Sequence, residues 1–379
     1  MSKQWTRHFQ SAARSASQAT STSIPSITPP ITHPFTPRAT YDVPASIPRS
    51  YYLGHHAAGL RSIATQLSSI GLVLECRDFR VPLTSWNPLL ERTLAGPRRL
   101  VVYTKTDLGT DESGRGAQIK RSLKELHRSR PGESAIFVGK GKSKNELLRE
   151  IREIAREYDA LTGLRTFVVG MPNVGKSTLL NALRKEGMKT KTKVAITGNH
   201  PGVTRKLSTP VRILGGKDNP DETLGEGVFI IDTPGVFMPY VSSGENMLKL
   251  ALVHGIKDNL VPHEIVADYL LYKLNLVDPG LYAKYCDPTN DISQFLTGVA
   301  KRTGKHAKSR MGFDIQAAMW IIEQWRNGHL GRFILDDVTP AAIEEKKAEL
   351  TTTTLSMNQA RKREKEARKQ RAEEKRRGG

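Results

Sequence analysis

The stretch Gly170-Met-Pro-Asn-Val-Gly-Lys-Ser177 limits what this chain can fold into more than any other. It matches G-x-x-x-x-G-K-[ST], a loop whose backbone wraps a phosphate and which works only between a buried strand and a helix. Both flanks have the right character. Arg165-Thr-Phe-Val-Val169 is a short apolar run that reads as a strand, and Thr178-Leu-Leu-Asn-Ala-Leu-Arg184 reads as a helix. Gly170 and Gly175 let the backbone curl so that N–H groups point inward, and the helix N-terminus adds partial positive charge there. Lys176 supplies a full charge to terminal phosphates, and the Ser177 hydroxyl is a ligand for Mg²⁺. Asn173, Val174, Gly175 and Thr178 complete the expected cradle. The plain alternative is a strand–turn–helix that holds these letters by coincidence; the two flanks weigh against it.

Two more charged motifs follow apolar runs. Leu100–Tyr103 leads into Thr104-Lys-Thr-Asp107, and Val228–Ile231 leads into Asp232-Thr-Pro-Gly235. In an open α/β sheet, ligands gather at the carboxyl ends of strands, so the three motifs are expected to share a cleft. Asp232 is placed to hold Mg²⁺ through water, and the Gly235 N–H to meet a γ-phosphate. Thr204, in the polar stretch 189–205, is expected to add a second hydroxyl to the metal. Asp107 can accept hydrogen bonds from the N1–H and exocyclic amine of guanine, a pair that adenine does not offer. The stem of Lys105 can cover the base. Taken singly, Asp-Thr-Pro-Gly is a common turn and Asp107 a common helix cap. Three such motifs, each behind a strand, are hard to assign to chance.

Length suggests about two to three domains. The net charge of +20 points to a polyanionic partner, a nucleic acid or an anionic membrane surface. Cys76 and Cys286 have no metal-binding spacing, so a reducing compartment without disulfides is expected. No apolar run is long enough for a transmembrane helix. The start of the chain has no acidic residue before Asp42, and Trp5, Phe9, Ala12 and Ala16 recur at helical spacing. Residues 1–45 therefore read as a mitochondrial transit peptide, or otherwise as a disordered terminus.

Along the rest of the chain, Tyr51–Gly59 is expected to open the ordered region. A helix over Ala57–Ser69, strands at Leu72–Cys76 and Ser134–Val138, and helices at Arg115–Arg128 and Asn145–Tyr158 follow from periodicity. Leu207–Leu214 is a further strand candidate. This alternation predicts an α/β domain with a mostly parallel sheet over 51–240. After Gly244 the strand signals stop. Met247–Val253, Glu264–Leu274, Asp291–Thr303 and Phe313–Gly328 predict a helical domain over 241–338. Residues 339–379 form a basic tail, with ten Lys/Arg against four Glu from Arg361 onward. The tail shows no apolar face, which predicts a solvated helix or disorder.

The order of the motifs is unusual. The base-reading motif precedes the phosphate loop, and Asp232–Gly235 closes the domain. In this the chain resembles the circularly permuted ribosome-biogenesis GTPases, bacterial and mitochondrial. The likeness also rests on Leu53-Gly-His-His56, Glu75–Pro82 with Asn87-Pro88, Pro201–Thr204, and Gly312-Phe-Asp with Gly328–Arg332. The resemblance implies a permuted P-loop GTPase fold with a helical C-terminal domain. It further implies GTP hydrolysis and binding to the large mitochondrial ribosomal subunit and its rRNA. The expected setting is the mitochondrial matrix, with peripheral association with the inner membrane as an option, and the chain is expected to be a monomer.

Three departures qualify it. Thr104 stands where the family usually has Asn, which predicts weakened guanine affinity. Val236 stands where many GTPases carry a water-orienting Gln; the resemblance points to His55 as the group that positions water, against the alternative that it only starts a helix. Asn173 matches family members in which this residue helps hold K⁺. For the auxiliary base-contacting loop, Ser134-Ala135 fits in letters and Val138-Gly139-Lys140 in position. Two other functions stay open: a nucleotide-gated RNA-binding scaffold with negligible hydrolysis, and a small-molecule kinase or ATPase.

Overall fold

In the computed structural model the strand after the first helix, β1 (Leu72–Asp78), lies at the middle of a six-stranded sheet in the order β3-β2-β1-β4-β6-β5. The residues described are 35–50, 54–110, 114–140, 143–158, 162–190, 192, 195, 207–215, 224–304 and 312–351, with isolated positions between 358 and 373. The other strands are β2 (Arg98–Thr104), β3 (Glu133–Phe137), β4 (Leu164–Gly170), β5 (Val211–Leu214) and β6 (Val228–Asp232). The β3-β2-β1-β4-β6 pairings are all parallel, and only the edge strand β5 runs antiparallel, against β6. The carboxyl ends of β2, β4 and β6 therefore open on the same edge.

Side chains alternate between the two faces with the period of a strand. Leu72, Leu74, Leu100, Val102, Val168 and Ile230 pack on one face, with α5 (Ser143–Tyr158) and α6 (Lys176–Gly187). Val73, Phe167, Val169 and Ile231 face the other way, against α1 (Gly54–Gln66) and α2 (Pro88–Thr93). Val101 and Tyr103 share that second side with α4 (Arg115–Arg128). A short helix, α3 (Thr106–Gly109), starts within the base-reading motif. Both faces are covered, as the apolar runs of a parallel sheet require.

After the sheet come α7 (Gly244–Leu252), α8 (His263–Val277), α9 (Ile292–Thr303) and α10 (Phe313–Arg326). Ser243 and Asp291 cap α7 and α9 by accepting from the backbone N–H two residues on. Their apolar faces join one continuous buried cluster with the first face of the sheet.

Two expectations need correction. Order does not begin at Tyr51. Arg38 binds the Asp268 carboxylate on α8 at 2.7 Å, Tyr41 packs edge-on against Tyr269 with ring centres 5.2 Å apart, and Ile47 is buried. The composition of the first residues carries no trace of these partners more than 200 positions away. The tail, too, has an apolar face at its start. In α11 (Pro340–Thr351), Ile343 and Leu350 are buried in the cluster that holds Phe79, Leu123 and Leu126. Two apolar residues seven apart were outweighed in the sequence by the surrounding charge. No helix among the described residues is long and apolar enough to cross a membrane.

Candidate nucleotide site

The phosphate loop turns between β4 and α6. Gly170 has φ +145°, and a Cβ there would stand 2.4 Å from the Cys76 carbonyl oxygen, so no other residue fits. The Lys176 ammonium folds back and donates to the Met171 carbonyl at 2.8 Å. Burial lowers its pKa, against the pull of Asp232. The Ser177 hydroxyl donates to Asp232 Oδ2 at 2.6 Å, so the hydroxyl and carboxylate expected around a metal stand together. Thr178 is exposed in the first turn of α6. Thr204 lies outside the described residues.

The base-reading motif is tied directly to this loop. Thr104 Oγ1 donates to the Val174 carbonyl at 2.5 Å. Lys105, in left-handed conformation at φ 58°, donates from Nζ to the Asn173 carbonyl at 2.8 Å and to Asp78 Oδ2 at 3.0 Å. Its stem therefore runs along the loop. Burial depresses the Lys105 pKa, and Asp78 opposes that. Burial alone would raise the Asp78 carboxyl, but Arg80 and Lys105 hold it well below the usual range. Asp107 accepts from the Lys140 backbone N–H at 3.3 Å, and a Cβ on Gly139 would stand 3.1 Å from Asp107 Oδ1. Of the two auxiliary-loop readings, Val138-Gly139-Lys140 is the one beside Asp107. Ser134-Ala135 lies inside β3.

Asp232–Gly235 meets the loop from the other side. A Cβ on Gly235 would stand 2.8 Å from Pro172 Cα, which makes the residue another obligatory glycine. The peptide between Gly235 and Val236 is held at both ends. Its N–H donates to the Gly170 carbonyl at 3.1 Å, and its carbonyl lies 2.8 Å from His56 Nδ1. The next carbonyl, of Val236, accepts from Asn87 Nδ2 at 2.8 Å. The Val236 side chain is buried among Ile63, Val73 and Phe167 and faces away from solvent. His55 lies in the first turn of α1; its side chain is outside what the structure describes. Asn173, at φ 56°, donates from its amide to the His254 carbonyl at 2.8 Å, which joins the loop to the turn after α7.

His56, Asn87 and the Asp78–Arg80 pair are the parts that sequence reasoning did not assign. Asn87-Pro88 carried a signal, since Asn at the cap and Pro at the first helical position mark a helix start. Its second contact, to Val236, is long-range and leaves no local pattern.

Residues 165–298 match the family model described as "50S ribosome-binding GTPase". The chain is 34% identical over 329 residues to "Mitochondrial GTPase 1" of Schizosaccharomyces japonicus, covering 82% of this chain and 97% of that one. It is 37% identical over 309 residues to "Mitochondrial GTPase 1" of Schizosaccharomyces pombe, covering 77% and 90%. A third relative, "Mitochondrial ribosome-associated GTPase 1" of Xenopus tropicalis, is 32% identical over 322 residues, covering 79% and 98%. The phosphate loop, the motif order and these relatives agree: the chain belongs to the mitochondrial GTPase 1 family of GTP-binding, GTP-hydrolysing proteins.

Proposed function

We propose that this chain is a mitochondrial-matrix GTPase that docks on the large mitochondrial ribosomal subunit and its rRNA during assembly. One observation carries the reading. Gly235, whose N–H a γ-phosphate would meet, opens a turn that is fixed to the phosphate loop by the Val236 N–H and to His56 and Asn87 by the Gly235 and Val236 carbonyls, and the chain runs on from it to α7. A γ-phosphate on the Gly235 N–H alters that set of contacts, and the helical part responds. The ribosomal partner is supported by the relatives' names and by the charge of +20.

The nucleotide site divides its work by residue. Asp107 selects guanine, Thr104 and Lys105 brace the loop, and the loop N–H groups with Lys176 hold the phosphates. The Ser177 hydroxyl and Asp232 carboxylate form a hard-oxygen pair that fits Mg²⁺, with Thr204 as the third protein ligand. Among the described residues no group of three His, Cys, Asp or Glu is arranged to hold a metal ion by itself, and the ion would draw its remaining ligands from phosphate and water. It would neutralise charge on the phosphates. Asn173 Oδ1 is the group that would hold K⁺. Val236 cannot orient water, and His55 fills that role. The chain acts as a monomer, with basic surface available for peripheral contact with the inner membrane.

Single-turnover hydrolysis of GTP, with and without purified large mitochondrial subunits, tests this. Faster turnover on adding subunits is expected. A subunit-bound chain with no hydrolysis in either condition would favour the nucleotide-gated scaffold.

A further inference from the structure

Helix α4 differs from its neighbours in charge. Arg121, Lys124 and Arg128 are exposed and lie at i, i+3 and i+7, which places them in one stripe along the helix. The opposite side, Ile119, Leu123 and Leu126, is buried against the sheet. Glu125, the one acidic residue of this helix, is exposed on the same face, one turn from Arg121 and from Arg128, so the stripe carries three cations to one carboxylate. Among the described residues no carboxylate forms an ion pair with Arg121, Lys124 or Arg128. Like charges this close on a helix repel and cost stability. Helix α5 shows the ordinary alternative: Glu146, Glu150, Glu153 and Glu157 interleave with Arg149, Arg152 and Arg156, so its charges compensate. Helix α11 packs in the same apolar cluster as α4, so the chain leaves the folded body toward its basic tail on the α4 side of the sheet.

We infer that the Arg121–Lys124–Arg128 stripe of α4 is a docking surface for the phosphate backbone of duplex ribosomal RNA. The inference rests on the ribosomal reading above and names the surface that reading lacks. Phosphate is the occupant that charge complementarity selects, because a row with three cations to one carboxylate, Glu125, gains most from a row of anions. An anionic membrane fits less well: the apolar face of α4 is already used inside the protein, which leaves nothing to insert. Side chains without paired carboxylates give affinity and register but read no sequence.

The test uses the full chain loaded with GDP, an RNA hairpin and purified large subunits. The triple variant Arg121→Gln, Lys124→Gln, Arg128→Gln keeps the aliphatic stems and removes three charges. Its nucleotide affinity should match the parent chain, and its melting temperature should be equal or higher, since like-charge repulsion is removed. The slope of log affinity for the hairpin against log salt should become shallower by about three, and subunit binding should weaken by roughly tenfold or more. The charge-keeping exchange Arg121→Lys, Lys124→Arg, Arg128→Lys should restore both. A triple variant with the parent's slope and affinity would overturn the inference and leave the ribosomal reading standing. So would loss of binding to anionic vesicles with RNA binding intact. If the parent chain binds neither hairpin nor subunit, the ribosomal reading fails and the inference with it.

Discussion

The Thr104 hydroxyl donates to the carbonyl of Val174 at 2.5 Å, across 70 positions of sequence. One short bond thus joins the segment that would read a base to the segment that would hold its phosphates. The usual residue here is an amide, and its replacement by a hydroxyl was expected to weaken the site. The geometry shows that the hydroxyl still bridges the two loops. Thr104→Val should leave the buried carbonyl unsatisfied and weaken GDP binding by roughly tenfold, whereas Thr104→Ser should stay near the parent value. Titration with a fluorescent GDP analogue measures both. Equal affinity for Thr104→Val and the parent would remove the bridge from the account.

His56 and Asn87 clasp the turn whose Gly235 N–H would meet a γ-phosphate. His56 holds the Gly235 carbonyl and Asn87 holds the Val236 carbonyl, so neither touches the region that binds the base or the first two phosphates. His56→Ala should therefore leave GDP affinity unchanged and weaken a non-hydrolysable GTP analogue by roughly tenfold. Asn87→Ala should behave likewise, with added loss of stability, because the same side chain caps α2. Parallel losses for GDP and GTP in His56→Ala would show a general structural role instead.

A buried ionic group beside the sheet sets the behaviour in acid. Burial alone would raise the Glu91 pKa, but the hydrogen bond from Arg130 and the charge of Arg99 hold it at about 2. Glu75 is lowered too, by Arg77 and Arg99 against its own burial. Carboxylates depressed in the folded state contribute stability that is complete above their unfolded pKa and fades as pH falls through the folded value. Stability should thus hold near neutrality and drop below about pH 4. Arg130→Gln releases Glu91 from its main partner and should move the acid-unfolding midpoint upward. Circular dichroism across pH checks this; an unchanged midpoint would exclude Glu91 as a contributor.

The sequence made the local parts of this molecule readable. The phosphate loop announced its own strand and helix, and apolar runs marked β1, β2 and β6 because parallel strands buried on both faces carry unbroken hydrophobic letters. The closeness of Asp107 to Gly139 was readable from position, because the motif and the following strand end lie within one βαβ unit. The clasp on Gly235 was not assignable. Its donors come from α1 and the cap of α2, about 150 to 180 positions upstream, and a lone His or Asn has many local uses. The burial of Ile343 and Leu350 was hidden for a related reason: an apolar pair amid Glu and Lys gains its meaning only from the partner surface on α4.

The central claim is that segments in permuted order form one guanine-nucleotide site, and exchange of the base-reading carboxylate tests it most directly. In Asp107→Asn the side chain offers an amide donor where guanine presents its own donors, while the C2 carbonyl of xanthine can accept from it. Competition against a fluorescent nucleotide should show the parent chain preferring GTP over both XTP and ATP, and Asp107→Asn losing GTP by roughly a hundredfold while gaining XTP. Retention of GTP binding in Asp107→Asn, or effective competition by ATP in the parent chain, would contradict the account.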